Sequence, residues 1–327
     1  MGANPPIFYL VVPCFNEQEV LSETSLQLKD KYEDLIQRGM ISTFSRVLFV
    51  DDGSTDRTWE IICSLYDSAT MFSGLKLSRN RGHQNALIAG LNYAMDNADV
   101  IGSMDADLQD DINALDEMLA RYNEGYEVIY GVRKDRSSDT FFKRTSAQAF
   151  YRLQSRLGVE SVYNHADYRL MSRRAVCSLM KYDEVNLFLR GMVPQIGFKS
   201  CSVYYSRAER FAGESKYPLK KMLAFAFEGI TSFSTKPIRF ITIAGMVIFI
   251  VSLLFLLYFL FGRLFGDVQA GWTSIVMSIW CLGGLQLLAI GVIGEYVGKT
   301  YMESKHRPRY IVEKIIDHRT DDDETTC

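Results

Sequence analysis

The chain has 327 residues, of which 48% are hydrophobic and 23% charged, and its length suits about two folded domains. Its net charge of -3 argues against a general nucleic-acid binder, because such proteins carry a basic excess. The six cysteines are scattered without a C-x-x-C pair, which argues against a disulfide framework or zinc site and favours reduced thiols facing the cytosol. No signal peptide is predicted, since the N-terminus lacks a basic region followed by an apolar core.

Strands and helices alternate through the first part of the chain. Apolar runs rich in β-branched and aromatic residues predict buried strands at 7–12, 47–50, 75–77, 100–104 and 127–130. Amphipathic helices are predicted between them, with Asn16 capping the first and Ser54 or Thr55 capping the second. This alternation predicts an α/β fold with a doubly wound, mainly parallel, Rossmann-like sheet.

Polar clusters follow four of these strands. Doubly wound sheets bind ligands just past the carboxyl ends of their strands, so these clusters are expected at one edge. They are Asn16–Glu17, Asp51–Asp52, Arg79–Asn80 and Asp105–Asp107. If the backbone after Val100 stays extended, Asp105, Asp107 and Gln109 share one face and suit Mg²⁺ or Mn²⁺ on a diphosphate. A solvated loop is the alternative.

Glycine-rich phosphate loops are absent from the sequence. No G-x-G-x-x-G follows the first strand, and no G-x-x-x-x-G-K-[ST] occurs anywhere. A dinucleotide oxidoreductase or a P-loop ATPase therefore has little support. A nucleotide would instead be held by carboxylates on its base and ribose, with a metal ion on its phosphates.

The middle of the chain leaves several interpretations open. Basic and aromatic residues at helical spacing in 138–158 fit a helix at a lipid headgroup layer or an ordinary amphipathic core helix. A strand is predicted at 168–171, directly after Asp167. The loop 207–217 carries three cations and could close over a diphosphate, with a solvated basic loop as the alternative.

Two long uncharged stretches predict a membrane hairpin. They cover about 240–261 and about 272–294, and basic residues flank both outer ends. The expected domains are a cytosolic catalytic domain (1–217), an interfacial amphipathic helix (218–236), two transmembrane helices (237–298) and a cytosolic tail (299–327). The expected location is the plasma membrane, multi-pass, with both termini cytoplasmic.

The order and spacing of the motifs resemble the inverting nucleotide-sugar glycosyltransferases of family 2. More narrowly, the chain looks like the polyprenyl-phosphate glycosyltransferases, relatives of dolichol-phosphate mannose synthase and undecaprenyl-phosphate glucosyltransferases. The motifs are VVPCFNE, VDDGSTD, LSRNRGHQNAL, MDADLQD, YRLMSR, NLFLRG and RAERFAGESKY. The resemblance implies a GT-A fold and transfer of a hexose, with glucose or N-acetylglucosamine favoured, from a UDP-sugar to undecaprenyl phosphate. It also implies a cell-envelope glycan product and a homotetramer.

The resemblance also implies roles for individual residues. Asp107 and Gln109 would hold Mg²⁺ or Mn²⁺, Arg190 would contact an anion, and Asp167 would orient the acceptor or act as a weak base. Asp105 and Asp107, with Asp167 and Arg190, form the expected catalytic set. The expected donor-binding residues are Pro13, Asn16, Glu17, Asp51, Asp52, Arg79, Asn80, Gly82 and Asp105. A phosphate-binding loop would contain Arg207, Arg210, Ser215 and Lys216.

Two positions depart from the family pattern, and two other functions stay open. Arg81-Gly82-His83 replaces a common Phe-Gly, and Asp111 stands where proline is common. A processive polysaccharide synthase is the first alternative, although the Gln-x-x-Arg-Trp motif is missing because Gly191 follows Arg190. A catalytically inactive membrane scaffold is the second alternative.

Overall fold

The computed structural model describes residues 4–134, 165–184, 189–206 and 272–318, with scattered helical positions between 238 and 254. The chain divides into two compact units. The first contains Met1–Tyr151, Glu160–Tyr217 and Pro308–Cys327. The second contains Arg152–Val159 and Pro218–Arg307.

The described part of the first unit is a layered α/β structure in which helices follow most of the strands. In chain order its elements are β1 (Phe8–Cys14), α1 (Leu21–Gln37), β2 (Arg46–Asp51), α2 (Thr58–Ser68), β3 (Phe72–Leu77), α3 (His83–Asn97), β4 (Val100–Ser103), α4 (Ala114–Asn123), β5 (Val128–Arg133), β6 (His165–Ser172), α5 (Arg173–Leu179), α6 (Leu189–Gln195), β7 (Ser200–Tyr205) and β8 (Val312–Ile316).

These strands form a single mixed sheet in the order β7-β5-β6-β4-β1-β2-β3-β8. The four strands β3, β2, β1 and β4 are parallel to one another, and β5 is parallel to β7. Strand β6 runs antiparallel between β4 and β5, and β8 runs antiparallel along β3. The predicted α/β, mainly parallel architecture of the GT-A type is confirmed.

The apolar runs of the central strands are buried on both faces. Phe8 to Val12 of β1 are all fully buried, as expected for a parallel strand covered by helices on both sides. Helix α3 packs closely on this region, since a Cβ at Gly90 would overlap the side chains of Val11 and Val50. The close contact fixes the position of α3, whose first residue, His83, lies at the carboxyl edge of the sheet.

The predicted helix caps are wrong. Helix α1 begins at Leu21 and α2 at Thr58, so Asn16, Ser54 and Thr55 all lie outside the helices. Asn16 instead adopts a left-handed backbone (φ 55°), and its Oδ1 accepts a hydrogen bond from Thr55 N at 2.9 Å. Ser54 Oγ accepts from Asn16 N at 3.0 Å. These polar residues therefore join two loops to each other.

Part of the segment 299–327, which was expected from sequence to be a cytosolic C-terminal tail, joins the sheet. Val312–Ile316 forms β8 and extends the sheet beside β3. Asp317 follows it, is 1% exposed, and accepts hydrogen bonds from Tyr9 Oη at 3.2 Å and Tyr93 Oη at 2.8 Å. A short edge strand with charged residues has no clear hydrophobic period, so the sequence did not indicate it.

In the second unit the structure describes one long helix, α7 (Trp272–Ser304), which includes the second predicted membrane span. Across the residues that are described, no helix is both long and apolar enough to cross a membrane. The predicted transmembrane hairpin is therefore not confirmed. Most of the first predicted span, the interfacial helix 218–236 and the helix 138–158 lie outside the described residues.

Candidate active site

Asp51 ends β2 as a fully buried carboxylate at the carboxyl edge of the sheet. Its Oδ1 accepts a hydrogen bond from Ser54 N at 3.1 Å, while its buried Oδ2 has no partner among the described residues. Burial raises the pKa of Asp51, and the hydrogen bonds from Ser54 oppose that rise. A buried acceptor without a donor is costly, and a bound N–H or O–H group would relieve that cost.

Asp52 joins the loop after β2 to the loop after β3. Its two oxygens accept hydrogen bonds from Arg81 N at 2.7 Å and Gly82 N at 2.8 Å. Burial raises the pKa of Asp52, although these two hydrogen bonds oppose the rise. Asp52 therefore holds the 79–82 loop in place. The side chains of Arg79 and Asn80 on that loop are exposed.

Gly53 makes the contact between these two loops possible. Its φ is 67°, and a Cβ there would lie 2.6 Å from the Arg79 carbonyl carbon and 2.6 Å from Asn80 N. Since both neighbours are backbone atoms, a side chain at this position would push the loops apart. We call the residues of these two loops, 51–54 and 79–82, the β2–β3 edge.

The loop after β1 is attached to the same edge. Asp52 N donates to Cys14 O at 2.9 Å, directly after the buried Pro13. Glu17 N donates to Thr58 Oγ1 at 2.9 Å. The structure thus brings together the predicted donor-binding residues of three loops, those that follow β1, β2 and β3.

The loop after β4, residues 105–110, contains a turn, and we call it the acidic loop. This turn corrects the prediction that the backbone stays extended here. Leu108 adopts a left-handed backbone (φ 55°), so the chain is not extended there, and simple alternation does not align Asp105, Asp107 and Gln109. Thr24 Oγ1 donates to Ala106 O at 2.7 Å, and Gln109 N donates to Asp107 Oδ1 at 3.2 Å. The turn brings the backbone N–H of Gln109 to the Asp107 carboxylate.

Asp107 and Gln109 offer hard oxygen ligands, and both are partly exposed. Among the described residues, no group of three or more His, Cys, Asp or Glu side chains is placed to hold a metal ion. Mg²⁺ commonly binds through one or two carboxylates together with substrate phosphates and water. This donor set therefore fits a divalent ion shared with a diphosphate better than a preformed protein cage.

Asp110 links the acidic loop to two residues that the sequence did not indicate, Tyr205 and Arg133. It is 3% exposed, and its Oδ1 accepts a hydrogen bond from Tyr205 Oη at the end of β7. Arg133 Nη2, at the end of β5, lies 3.5 Å from the same oxygen. Burial and the Asp110 charge raise the pKa of Tyr205. The acidic loop is thus attached to two further strands.

Asp167 is held by two arginines. Arg169 Nη2 lies 2.5 Å from Asp167 Oδ1, and Arg190 contacts both oxygens through Nε at 3.3 Å and Nη2 at 3.1 Å. Burial alone would raise the pKa of Asp167, but Arg190 and Arg169 outweigh it and hold that pKa well below its usual range. Asp167 is therefore a weak base. Arg169 is 1% exposed, and a charged residue within the apolar run of β6 is the signal that could have identified it.

The His83 ring lies between the carboxylates of Asp105 and Asp167. Its Nε2 is 3.6 Å from Asp105 Oδ1 and 3.7 Å from Asp167 Oδ2. Burial raises the pKa of Asp105 to about 6, with His83 opposing the rise and Asp110, Asp167 and Asp107 adding to it. Asp105 and Asp167 thus have opposite pKa shifts. We call His83, Asp105, Asp167, Arg169 and Arg190 the central cluster.

The predicted phosphate-binding loop is not part of this geometry. Arg207, Arg210, Ser215 and Lys216 lie outside the described residues. Two other predicted site residues do meet, since Arg190 Nη2 lies 3.1 Å from Asp167 Oδ2.

Comparison with known proteins finds relatives that are named as glycosyltransferases or glucosyl transferases. Residues 9–179 match the family model described as "Glycosyl transferase family 2". The chain is 53% identical to the uncharacterized glycosyltransferase YkoT of Bacillus subtilis, over 96% of this chain and 93% of that protein. It is 38% identical to the bactoprenol glucosyl transferase of Shigella phage SfV, over 93% of this chain and 97% of that protein. It is 37% identical to a prophage bactoprenol glucosyl transferase homolog of Escherichia coli, over 94% of this chain and 98% of that protein.

Proposed function

The chain belongs to glycosyl transferase family 2, and from that membership we propose that it moves a hexose from a UDP-sugar to a polyprenyl phosphate. The expected hexose is glucose or N-acetylglucosamine, and the expected acceptor is undecaprenyl phosphate. Relatives named bactoprenol glucosyl transferases, matching almost the whole chain, support the acceptor class. The product would be a lipid-phosphate-linked sugar for cell-envelope glycan modification.

The observation that carries the proposal is the meeting of the acidic loop, the β2–β3 edge and the central cluster at one edge of the sheet. Asp51 supplies a buried oxygen that has no partner among the described residues and could accept from a group on the base or ribose. Asp107 and Gln109, in the loop after β4, supply oxygen ligands for a divalent ion on the diphosphate. Such an ion, when bound, stabilises the negative charge that develops on the leaving diphosphate.

The reaction needs little base catalysis from the protein. A phosphate monoester is largely ionised near neutral pH, so its oxygen is already a nucleophile. That oxygen attacks the anomeric carbon, and the bond to UDP breaks with its electron pair moving to the diphosphate. The configuration inverts because attack and departure occur on opposite faces. Asp167, whose pKa is held low by Arg190 and Arg169, keeps Arg190 in place and takes no proton.

Attachment to the cell membrane is part of the same proposal. Its support is the sequence, in which uncharged stretches at about 240–261 and 272–294 have basic residues on both outer sides. With this orientation the catalytic unit faces the cytosol, where nucleotide sugars are made available. We also expect a homo-oligomer, which light scattering of the purified protein in detergent will measure.

The direct test is transfer by the full-length protein in detergent, with detection of the lipid product by mass. UDP- and GDP-sugars are offered in turn with undecaprenyl phosphate and either Mg²⁺ or Mn²⁺. We expect Asp107→Ala to lower the transfer rate by about 100-fold or more, since the developing charge loses its metal-based stabilisation. Asp30→Ala, on the exposed face of α1, is the matched control and keeps the wild-type rate.

Near wild-type transfer by Asp107→Ala at saturating metal would contradict the proposed role of the acidic loop. The same assay separates the two alternative functions. A processive polysaccharide synthase would release long glycans without lipid phosphate, and an inactive scaffold would produce no sugar transfer with any donor.

A further inference from the structure

Residues 309–318, which follow α7 in sequence and include β8, lie against the strand that leads into the 79–82 loop. We call them the return segment. Strand β8 pairs antiparallel with β3, and Val312 lies opposite Leu77, the last residue of β3. Since β3 ends at the carboxyl edge of the sheet, the return segment enters the sheet beside the start of the 79–82 loop.

A backbone hydrogen bond joins the return segment to this loop. Ser78 N, directly before the first residue of the loop, donates to Ile311 O at 3.0 Å. The other end of the loop is held by the Asp52 carboxylate, which accepts from two of its backbone N–H groups. The 79–82 loop is therefore attached on both sides, to the return segment before it and to the loop after β2 at its end.

Charged side chains with little exposure fix both ends of the return segment. Arg309 is 12% exposed, and its Nη2 donates to Tyr182 O, in the segment after α5, at 2.6 Å. At the other end, the buried Asp317 accepts from Tyr93 Oη on α3 at 2.8 Å. The 79–82 loop connects β3 to α3, so the return segment binds both of the elements that carry this loop.

We propose that the return segment positions the 79–82 loop for the nucleotide of the sugar donor, an inference that rests on the proposed function. A loop that is already fixed at both ends loses little conformational freedom when a ligand binds, so the ligand binds more tightly. Arg309 and Asp317 are positioning residues, since they act through the loop. By linkage, a nucleotide that binds the fixed loop also stabilises the contacts that fix it.

The first measurement uses the wild-type, full-length protein in detergent. Amide hydrogen exchange is followed by mass with and without UDP and Mg²⁺, at about 100 times the UDP Kd that calorimetry gives. We expect exchange in 309–318 to slow by about threefold or more, together with exchange in 79–82, because one bound nucleotide stabilises both. The amides 200–203 of β7, the edge strand at the opposite side of the sheet, keep their rates.

The second measurement weakens the start of the return segment. Arg309→Ala removes the bond to Tyr182 O, and we expect UDP Kd and donor KM to rise about tenfold, as for one lost hydrogen bond from a charged group. The value of kcat stays within about twofold, because the central cluster is unchanged. Arg309→Lys still donates to a carbonyl and brings UDP Kd back to within about threefold of wild type. Asp183→Ala is the matched control, since it removes only the 95% exposed carboxylate beside Arg309 and leaves UDP Kd unchanged.

The inference is overturned if UDP slows exchange in 79–82 but not in 309–318. It is also overturned if Arg309→Ala lowers the unfolding temperature yet binds UDP with the wild-type Kd, since the role of Arg309 is then only structural. If that variant does not fold, the exchange measurement on the wild type decides. GDP is offered in parallel, so a protein that binds only GDP contradicts the proposed donor while the inference is tested with GDP. A protein that binds neither nucleotide contradicts both.

Discussion

At the β2–β3 edge a carboxylate is held by backbone N–H groups, whereas in the central cluster a carboxylate is held by charged side chains. Asp52 accepts from Arg81 N and Gly82 N, which belong to one short loop. Asp167 is held by Arg169 and Arg190, the second of which is on another element. The first arrangement fixes the shape of a loop, and the second fixes the charge of a site.

The difference has a consequence for acidity. Two backbone donors do not overcome the burial of Asp52, whose pKa is raised. Two guanidinium groups do overcome the burial of Asp167, whose pKa is lowered. Full positive charges act more strongly on a carboxylate than peptide dipoles at similar distances. The central cluster is therefore the more sensitive of the two regions to loss of one partner.

Removing the carboxylate of Asp167 is expected to have the largest effect on stability. Asp167→Ala leaves the buried Arg169 without its partner and is expected to lower the free energy of unfolding by about 3–5 kcal/mol at neutral pH. Because the folded pKa lies below the unfolded one, this contribution is present above about pH 4 and is lost as the pH falls further. Chemical unfolding of the full-length protein in detergent at several pH values measures it.

The matched comparison is another aspartate paired with an arginine. Asp183 lies 3.2 Å from Arg309 but is 95% exposed, so Asp183→Ala should cost less than about 1 kcal/mol. Equal losses of stability in Asp167→Ala and Asp183→Ala would show that the two arginines give Asp167 no larger contribution to stability than an exposed ion pair has.

The β2–β3 edge is tested by filling the space at Gly53. In Gly53→Ala the new Cβ meets the backbone of Arg79 and Asn80, so we expect a loss of about 1–3 kcal/mol in stability and weaker UDP binding. Gly39→Ala is the control, because Gly39 has the same φ of 67° and no atom within 4 Å of the new Cβ. It reports the cost of the backbone conformation alone, about 1 kcal/mol. If both variants bind UDP with wild-type affinity, the contact between the loops does not position the nucleotide.

The β2–β3 edge could be predicted from the sequence better than the central cluster. Strands β1, β2 and β4 could be predicted because each is an apolar run followed by polar residues. A parallel sheet places the carboxyl ends of such strands together. That is why Asp51, Asp52 and Asp105 were predicted at one edge. The contacts between these loops could not be predicted. Asn16 and Ser54 form hydrogen bonds between the loops, whereas both were expected to cap helices.

The central cluster depends on contacts between distant parts of the chain. Arg190 reaches Asp167 from α6, and His83 reaches Asp105 and Asp167 from α3. No local pattern encodes these pairs, because they arise only when β6 enters the sheet antiparallel beside β4. For the same reason β8, which pairs with β3 and follows the long helix α7 in sequence, was expected to be part of a C-terminal tail.

The smallest expected effect concerns Asp105, which lies in the central cluster near His83. Its folded pKa of about 6 lies above the usual aspartate value near 4, so its proton stabilises the folded state below about pH 4. That contribution is lost as the pH rises through about 6. Asp105→Asn, which cannot ionise, should therefore gain stability relative to wild type between pH 4 and pH 7.5. We expect a gain below about 1 kcal/mol, because the side chain is 38% exposed and water screens the charge.

Unfolding of metal-free protein at both pH values measures this difference, with Asp30→Asn as the exposed control. The control should give the same difference from wild type at both pH values. If Asp105→Asn loses stability relative to wild type as the pH rises, attraction to His83 outweighs burial at this carboxylate. Asp105 would then resemble Asp167, and charged side chains would decide the acidity of both central carboxylates.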